Sequence, residues 1–161
     1  MDIRPLAESD REWVERLVVE RWGDTVVAGR GGLWRPAELP GFGAFDGNDC
    51  VGLVTYELDG PACEIVTIDA LREGAGIGTA LLAAVVGAAR AGGCERVRLL
   101  TTNNNVRALA FYQKRGFRLV ALRANAIEEE RKLKPSIPEV DASGLPIRDE
   151  LDLELSLEQP G

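Results

Sequence analysis

The segment "DALREGAGIGTALLAAVVGAA" (residues 69–89) constrains the fold of this chain more than any other segment. Three glycines, Gly74, Gly76 and Gly78, alternate directly before a run of alanine, leucine and valine that is typical of a buried helix. Glycine is used where φ must be positive or where another group must come close. Because the free N–H groups at a helix N-terminus bind anions, this order of strand, glycine turn and helix predicts an α/β domain with an anion site.

The spacing of the glycines excludes two common nucleotide motifs. The order G-x-G-x-G differs from the G-x-G-x-x-G of dinucleotide-binding folds. No Gly-Lys-Ser/Thr follows, so the segment is not a P-loop either. By itself, the segment is equally compatible with a glycine turn that binds no ligand.

The length and charge of the chain limit its class. With 161 residues, it is expected to form a single domain over residues 1–161. The net charge of −7 argues against the basic stripe of a nucleic-acid-binding surface, whereas it suits a cationic substrate. The sequence has neither a membrane-length apolar run nor an apolar signal-peptide core near its start. We therefore expect no membrane partner and a cytoplasmic location.

The cysteine and histidine content narrows the chemistry. Cys50, Cys63 and Cys94 are far apart and show no CxxC spacing, so we expect buried thiols rather than a disulfide framework or a zinc site. The chain contains no histidine, which excludes Ser-His and Cys-His pairs and histidine-ligated metals. Acid–base catalysis would have to come from carboxylates, tyrosine, lysine, cysteine or the backbone.

Hydrophobic periodicity and turn signals predict a mixed order of elements. Strands are expected at residues 2–6, 41–46, 50–58, 63–70, 95–102, 117–124 and 148–157. Helices are expected at residues 8–22, from the glycine turn to about 91, at 103–116 and at 126–134. The three strands between residues 41 and 70 predict an antiparallel meander, and the strands on either side of the glycine helix are expected to be parallel. We therefore predict an α/β domain with a mixed, mostly antiparallel sheet of about seven strands.

Four local patterns sharpen this prediction. Ser9 and Glu12 have the spacing of a capping box at the start of the first helix. That helix is expected to bury one face, formed by Trp13, Leu17, Val18 and Trp22. Residues 23–40 look mostly irregular, with one turn of helix at 36–39. The last strand is expected to bury its leucines and to turn its carboxylates to solvent; the leucines are Leu151, Leu153, Leu155 and Leu157.

A second motif, "NNNVRALAFYQKRGF" (residues 103–117), identifies what the glycine turn resembles. It matches Asn-x-x-Ala-x-x-Phe-Tyr-x-x-x-Gly-Phe through Asn105, Ala108, Phe111, Tyr112, Gly116 and Phe117. The stretch "EGAGIG", residues 73–78, corresponds to Arg/Gln-x-x-Gly-x-Gly/Ala. Over residues 3–124 the chain resembles the GNAT superfamily of acyl-CoA-dependent N-acyltransferases. Glu73 departs from that pattern, because the family usually has Arg or Gln there.

The resemblance implies a GNAT-like fold and acetyl-CoA as co-substrate, with no metal. It places the pyrophosphate of the cofactor on the backbone N–H groups of Gly74, Ala75, Gly76, Ile77, Gly78 and Thr79. It places the pantetheine arm between the strands at 63–70 and 95–102, with the thioester carbonyl on the N–H near Ile68. Asn105 would cap its helix, bind the cofactor, or do both. The acceptor amine would attack the thioester directly in a ternary complex.

Direct attack requires a proton acceptor and a proton donor. An alkyl amine with a pKa near 10.4 is protonated at neutral pH, and the leaving thiolate needs a proton. The resemblance implies Tyr112 as the acid, whereas simple packing of its ring is the alternative. Glu64 lies in "EIV", similar to the histone-acetyltransferase branch, where that glutamate is the general base. The alternatives are an exposed glutamate at a strand start, and Asp69 as the base.

The acceptor site is less constrained. Trp22 and Trp34 flank a loop that is expected to border it and would form its walls. Residues 125–146 are longer than a hairpin requires and would form a lid, a specificity element or surface decoration. A homodimer is compatible with the resemblance. The competing hypotheses are a non-catalytic acyl-CoA sensor, and an interaction domain that has lost its cofactor, which Glu73 would favour.

Overall fold

The computed structural model describes residues 1–157. Within them a seven-stranded sheet has the order β1-β4-β5-β6-β7-β9-β8, and a separate hairpin pairs β2 with β3. The strands are β1 (Asp2–Pro5), β2 (Val27–Gly29), β3 (Gly32–Trp34), β4 (Gly41–Asp46), β5 (Asp49–Asp59), β6 (Ala62–Ala70), β7 (Arg96–Thr102), β8 (Arg118–Arg123) and β9 (Glu150–Ser156). The helices are α1 (Arg11–Trp22), α2 (Ile77–Ala91), α3 (Val106–Lys114) and α4 (Ala126–Leu133). Short 3-10 turns lie at Glu8–Asp10 and Pro36–Glu38.

The sheet confirms the predicted fold class. Strands β4, β5 and β6 form the expected antiparallel meander, and β6 pairs with β7 in parallel across α2. On the other side β9 lies between β7 and β8 and is antiparallel to both. Because β6–β7 is the parallel pair, the chain has to cross from one strand to the other through a helix.

The parallel pair separates part of the way along its length. The register runs from Ala62 opposite Arg96 to Ile65 opposite Leu99, and no further pair is formed within the described residues. Both strands continue, β6 to Ala70 and β7 to Thr102. The backbone of β6 beyond Ile65 therefore borders a gap in the middle of the sheet.

Helix α2 packs closely on the meander. Its buried residues Ile77, Leu81, Val85 and Ala89 repeat every four positions, which places them on one face. A Cβ at Gly52 of β5 would lie 2.6 Å from Ile77 Cγ2, so the helix approaches that strand too closely for a side chain there. This close packing fixes the N-terminus of α2 against the sheet.

The start of α1 differs from the prediction. Instead of a Ser9–Glu12 capping box, the Asp10 carboxylate accepts hydrogen bonds from the Ala7 N–H at 2.7 Å and from Trp13 Nε1 at 2.8 Å. Asp10 bonds back to the N–H three residues before it, which is the contact expected of Glu12 with Ser9 in the predicted box. The fully buried residues of the helix are Val14 and Val18, whereas Trp22 remains 37% exposed.

The predicted irregular segment contains an element that the prediction missed. Strands β2 and β3 form a hairpin whose two-residue turn is Arg30 and Gly31, with φ of 50° and 77°. Positive φ at both central residues is characteristic of a type I′ turn. The predicted turn of helix after residue 35 is present as the Pro36–Glu38 turn.

The prediction that the last strand turns its carboxylates to solvent is wrong for Glu150 and Asp152. Glu150 and Asp152 of β9 are each only 5% exposed. Arg123 donates to both carboxylates, at 3.2 and 3.0 Å, and Arg30 donates to Asp152. These arginines come from β8 and from the β2–β3 turn, which strand alternation in β9 could not reveal. Of the cysteines, Cys63 and Cys94 are buried and Cys50 is half-buried, all as free thiols.

Candidate active site

The glycine turn leaves the N-terminus of α2 open. Gly74 and Gly76 have φ of 73° and 71°, and Gly76 is the N-cap of the helix. A Cβ at either residue would meet no atom within 4 Å, so it is the positive φ, and not a lack of space, that favours glycine at these two positions. Gly78 differs, because its Cβ would lie 3.1 Å from Phe111 Cζ of α3. The turn therefore presents the first N–H groups of α2 at an uncrowded surface, beside α3.

Two arginines contact this end of α2: Arg107, which lies in α3, and Arg115, which is the C-cap of α3. Arg107 Nη2 lies 3.2 Å from Glu73 Oε1, and both side chains are exposed. Arg115 donates from Nε and Nη2 to Thr79 Oγ1 at 3.0 and 2.8 Å, with its guanidinium over the Phe111 ring. A positive potential at the helix N-terminus is thus combined with two guanidinium groups.

A cavity of about 440 Å³ occupies the gap between β6 and β7. It is bounded by α1, the two strands and α3. Its walls include Trp22, Val66, Ile68, Asp69, Leu99, Leu100, Thr101, Asn105, Ala108 and Tyr112. A second cavity of about 340 Å³ shares Ile68, Ala108 and Tyr112 with it and extends to Gly78 and Arg107. The two cavities therefore adjoin each other between the middle of the sheet and the N-terminus of α2.

Tyr112 stands between these two cavities. Its side chain is buried, and its ring packs edge-on against Phe111 and Phe117 at centroid distances of 5.2 and 5.4 Å. Burial, with a smaller contribution from the Asp69 charge, raises the pKa of the Tyr112 phenol above its usual value. The phenol is therefore protonated at neutral pH and able to donate a proton or a hydrogen bond.

The prediction that Asn105 caps its helix is confirmed. Its side-chain oxygen accepts a hydrogen bond from the Ala108 N–H at 3.3 Å, at the start of α3. The same residue lines the central cavity and a smaller neighbouring cavity of about 140 Å³. Its amide N–H₂ group is thus available at the boundary between the two spaces.

Glu64 lies in the smaller cavity and not in the central one. It is 1% exposed and sits one residue before the separation of β6 from β7, opposite Arg98. Arg30 donates to both of its oxygens, and Arg98 Nε donates to Oε1 at 2.9 Å. Burial raises the pKa of the Glu64 carboxyl, although both arginines act in the opposite direction.

Asp69 faces the central cavity together with Tyr112. Trp22 Nε1 donates to its Oδ2 at 2.8 Å, and Arg21 Nε lies 3.7 Å from Oδ1. Burial raises the pKa of this carboxyl, and the two partners oppose that shift. Of the two carboxylates considered as bases, Asp69 is the one that shares a cavity with Tyr112.

The smaller cavity contains the two predicted tryptophans and two carboxylates that sequence reasoning missed. Trp22 and Trp34 line it together with Glu64, Glu130 and Glu150. Burial, followed by the interaction with Glu150, raises the pKa of Glu130 to about 9. The sequence did not reveal the pair of Glu130 and Glu150, because the two residues lie on different elements, α4 and β9. Each of them alone looks like part of a solvated segment.

A buried lysine fixes α4 over this cavity. Lys134 Nζ donates to the backbone carbonyls of Trp22 and Val26 at 3.1 and 3.0 Å. Its pKa is lowered by burial, while Asp24 and Glu130 act against that shift. The segment after β8 therefore covers the end of α1 and the loop before β2.

The residues chosen from the sequence thus form one connected surface. Ile68, Asn105, Tyr112 and Trp22 meet in the central cavity, and the glycine turn adjoins it. Glu64 and Trp34 lie in the smaller cavity, which shares Trp22 and Asn105 with the central one. Within residues 1–157, no cluster of carboxylates and cysteines has the arrangement of a metal site. None of the described helices has the length and apolarity needed to cross a bilayer.

The chain belongs to the acetyltransferase (GNAT) family, whose model matches residues 7–117. The Bacillus subtilis (strain 168) protein YdhI, itself uncharacterized, is 43% identical over 152 residues, which are 94% of this chain and 95% of YdhI. The IAA acetyltransferase from Bacillus cereus has a TM-score of 0.74 at 24% identity, over 97% of this chain and 99% of that one. A GNAT family acetyltransferase from Elizabethkingia anophelis with acetyl-CoA bound has a TM-score of 0.67 at 21% identity, over 97% of both chains. The two structural similarities establish the shared fold.

Proposed function

We propose that this protein is an acetyl-CoA-dependent N-acetyltransferase that transfers the acetyl group to a primary amine. The observation that carries the proposal is a pair of adjoining cavities, one in the gap between β6 and β7 and one beside the glycine turn, with Tyr112 in the wall of both. Membership of the GNAT family and the acetyl-CoA complex of a protein with the same fold support it.

In this proposal the cofactor lies along the two cavities that share Tyr112. Its pyrophosphate binds the backbone N–H groups of the turn and the first helical residues, Gly74, Ala75, Gly76, Ile77, Gly78 and Thr79. The pantetheine arm occupies the gap beyond Ile65, where β6 is paired with β5 but, within the described residues, no longer with β7. The thioester carbonyl accepts a hydrogen bond from the Ile68 N–H, and Asn105 contributes its amide to the arm. Backbone donors at a helix N-terminus are suited to phosphate.

Tyr112 is the proposed acid. Its phenol is protonated at neutral pH and lies in the walls of both cavities, so it can hydrogen-bond or protonate the departing thiolate. The bond that forms joins the amine nitrogen to the acetyl carbon, and the bond that breaks joins that carbon to sulfur. The proton lost by the amine leaves through a base, and the thiolate receives its proton from Tyr112.

Glu64 is the proposed base, acting directly or through water. Burial raises its pKa toward the range where a carboxylate accepts protons efficiently near neutral pH. The arginines that hold it, Arg30 and Arg98, favour the ionised form, which is the form a base requires. Asp69 is the second candidate, because it shares the central cavity with Tyr112. Comparing Glu64→Gln with Asp69→Asn identifies the base. It is the residue whose substitution lowers the turnover rate more, with recovery of that rate at high pH.

The smaller cavity is the proposed acceptor site. Trp22 and Trp34 form apolar walls suited to an alkyl chain, and Glu64 and Glu150 provide carboxylates for an ammonium group. The acceptor is therefore a small primary amine or a protein amino group. Residues 125–146 act as the specificity element, because Glu130 of α4 lies in the same wall. A cytoplasmic location and a homodimer stay predictions, and light scattering of the purified protein would test the dimer.

Calorimetric titration with acetyl-CoA, with NADH and ATP as controls, tests the cofactor first. We expect saturable binding of acetyl-CoA alone, followed by release of free CoA in a screen of amines and peptides. Absence of binding at millimolar acetyl-CoA would contradict the proposal and favour an interaction domain. Binding without turnover of any amine would favour the acyl-CoA sensor.

Substitution of Tyr112 by phenylalanine tests the chemistry. We expect the turnover rate to fall about 10²- to 10⁴-fold, the range for loss of a general acid, because the ring keeps its packing and loses its proton. The Kd for acetyl-CoA should stay within about 2-fold of the wild-type value. A variant that turns over at the wild-type rate would show that Tyr112 only packs α3 against the sheet.

A further inference from the structure

Glu73 creates an electrostatic problem at the proposed cofactor site. Its carboxylate directly precedes Gly74, the first glycine of the turn, and its side chain is 84% exposed. A carboxylate near a bound pyrophosphate raises the free energy of the complex by charge repulsion. The positive end of α2 compensates for only about half an elementary charge. Another positive group near the turn is therefore required for tight binding.

Arg107 is placed to supply that charge. It is the second residue of α3, and its Nη2 lies 3.2 Å from Glu73 Oε1 across the entrance to the turn. It also lines the 340 Å³ cavity together with Gly78 and Tyr112. Its guanidinium thus borders both the carboxylate that opposes a phosphate and the cavity that leads to the thioester site.

The ion pair between Arg107 and Glu73 is weak enough to be exchanged. Both side chains are more than four-fifths exposed, and exposed pairs of this kind contribute little to stability. Among the described residues, the hydrogen bond of the Arg107 guanidinium goes to Glu73 only, which leaves most of its five donors for another acceptor. Guanidinium binds carboxylate and phosphate alike through charge-assisted, often bidentate hydrogen bonds, but a pyrophosphate carries two negative charges where the Glu73 carboxylate carries one.

Arg115 provides a contrast on the same side of α2. Its guanidinium donates to Thr79 Oγ1 and to the Phe111 carbonyl and lies 3.6 Å from the Phe111 ring centroid. These contacts fix Arg115 in place and occupy several of its donors. Arg107 has no comparable contacts in the part of the chain that the structure describes, so it is the arginine able to follow a ligand.

We propose that Arg107 exchanges Glu73 for the pyrophosphate of the bound cofactor and thereby supplies the positive charge that residue 73 lacks. This inference rests on the proposed function, since it requires acyl-CoA as the ligand. Glu73 serves as the counter-ion of Arg107 in the free protein and lowers the affinity of the site for the cofactor. Arg107 is a binding residue and takes no part in the proton transfers.

Calorimetric titration of the wild-type protein and Arg107→Ala with CoA and with dephospho-CoA tests the proposal. We expect the Kd of both ligands to rise about 10- to 100-fold in the variant, the usual loss for a hydrogen bond to a charged group. The loss should shrink as salt is raised, because an exposed charge contact is screened. Arg90→Ala is the matched control. It removes an exposed arginine from the opposite end of α2, about 20 Å away, and should leave both Kd values unchanged.

Glu73→Gln tests the other half of the pair. The neutral amide keeps the size of the side chain, so we expect CoA to bind a few-fold more tightly than it binds the wild-type protein. Unchanged CoA affinity in Arg107→Ala would overturn the proposal. A loss for CoA alone, without a loss for dephospho-CoA, would assign Arg107 to the 3′-phosphate and also overturn it. If the wild-type protein binds no CoA, the proposed function itself fails, which is a different result from either of these.

Discussion

The two sides of the proposed site are constructed in different ways. On the cofactor side, the glycine turn and the start of α3 depend on local backbone geometry, such as the positive φ of Gly76 and the Asn105 cap on Ala108. On the acceptor side, the β2–β3 hairpin, α4 and β9 are joined by charged side chains that are distant in the sequence. Arg30 contacts Asp152 across 122 positions, and Lys134 contacts the Trp22 carbonyl across 112.

This difference suggests that the two sides can change independently. A backbone site for phosphate depends mainly on residues that permit its conformation. A site made from buried ion pairs responds to every change of charge, because removal of one partner leaves the other buried and unpaired. Acceptor specificity is therefore expected to vary with α4 and the hairpin, while cofactor binding stays constant.

The largest expected effect comes from disrupting the acceptor side at Arg30. In Arg30→Ala the buried carboxylates of Glu64 and Asp152 lose a shared partner, which should reduce the free energy of unfolding by about 3 kcal/mol. Alanine keeps the Cβ that arginine already has at φ 50°, so the backbone strain does not change. Urea denaturation monitored by tryptophan fluorescence measures the loss.

Two further variants show whether charge causes this loss. Arg35→Ala removes an exposed arginine from the segment just after β3 and should change stability by less than about 0.5 kcal/mol. Adding Glu64→Gln to Arg30→Ala should recover part of the stability, because it removes one of the unpaired carboxylates. Equal losses in Arg30→Ala and Arg35→Ala would mean that the hairpin is not held by the Arg30 ion pairs.

The cofactor side is tested by Gly76→Ala. A Cβ there meets no atom within 4 Å, so the cost is the left-handed backbone at φ 71°, about 1 to 2 kcal/mol in unfolding free energy. The added methyl group also projects where the cofactor would approach, so the Kd for acetyl-CoA should rise. Gly87→Ala is the control within the same helix. It has no positive φ and no close neighbour, and it should stabilise the protein by about 0.5 to 1 kcal/mol.

The same contrast explains which features could be predicted from the sequence. The order of the main elements, the parallel pair across α2, the glycine turn and the Asn105 cap are encoded by residues close together in the chain. The β2–β3 hairpin was missed because its turn places Arg30, a residue that seldom adopts positive φ, at 50°. The burial of Glu150 and Asp152 was missed because its cause, Arg123 and Arg30, lies on other elements. Local patterns predict backbone sites, whereas ion pairs between distant residues require the fold.

The smallest expected effect concerns Glu130 on the acceptor side. Its titration should make the stability of the protein depend on pH without affecting the cofactor side. Burial and the neighbouring Glu150 raise its pKa from 4.5 to about 9, with Lys134 acting in the opposite direction. The folded state therefore holds a proton that the unfolded state releases above pH 4.5. Its contribution to stability is complete below pH 4.5 and is lost as the pH rises toward 9. Because Glu130 is partly exposed, we expect this loss to be on the order of 1 kcal/mol.

Glu130→Gln should flatten this pH dependence between pH 5 and 9, since the amide cannot ionise and can still bond to Glu150. Urea denaturation at a series of pH values measures the slope, and Glu129→Gln, an exposed neighbour paired with Lys132, should keep the wild-type slope. The Kd for acetyl-CoA should be the same in Glu130→Gln and in the wild-type protein, because α4 does not border the cavity at the glycine turn. A change in that Kd, together with a flattened slope, would mean that the two sides are coupled and that acceptor binding alters the cofactor site.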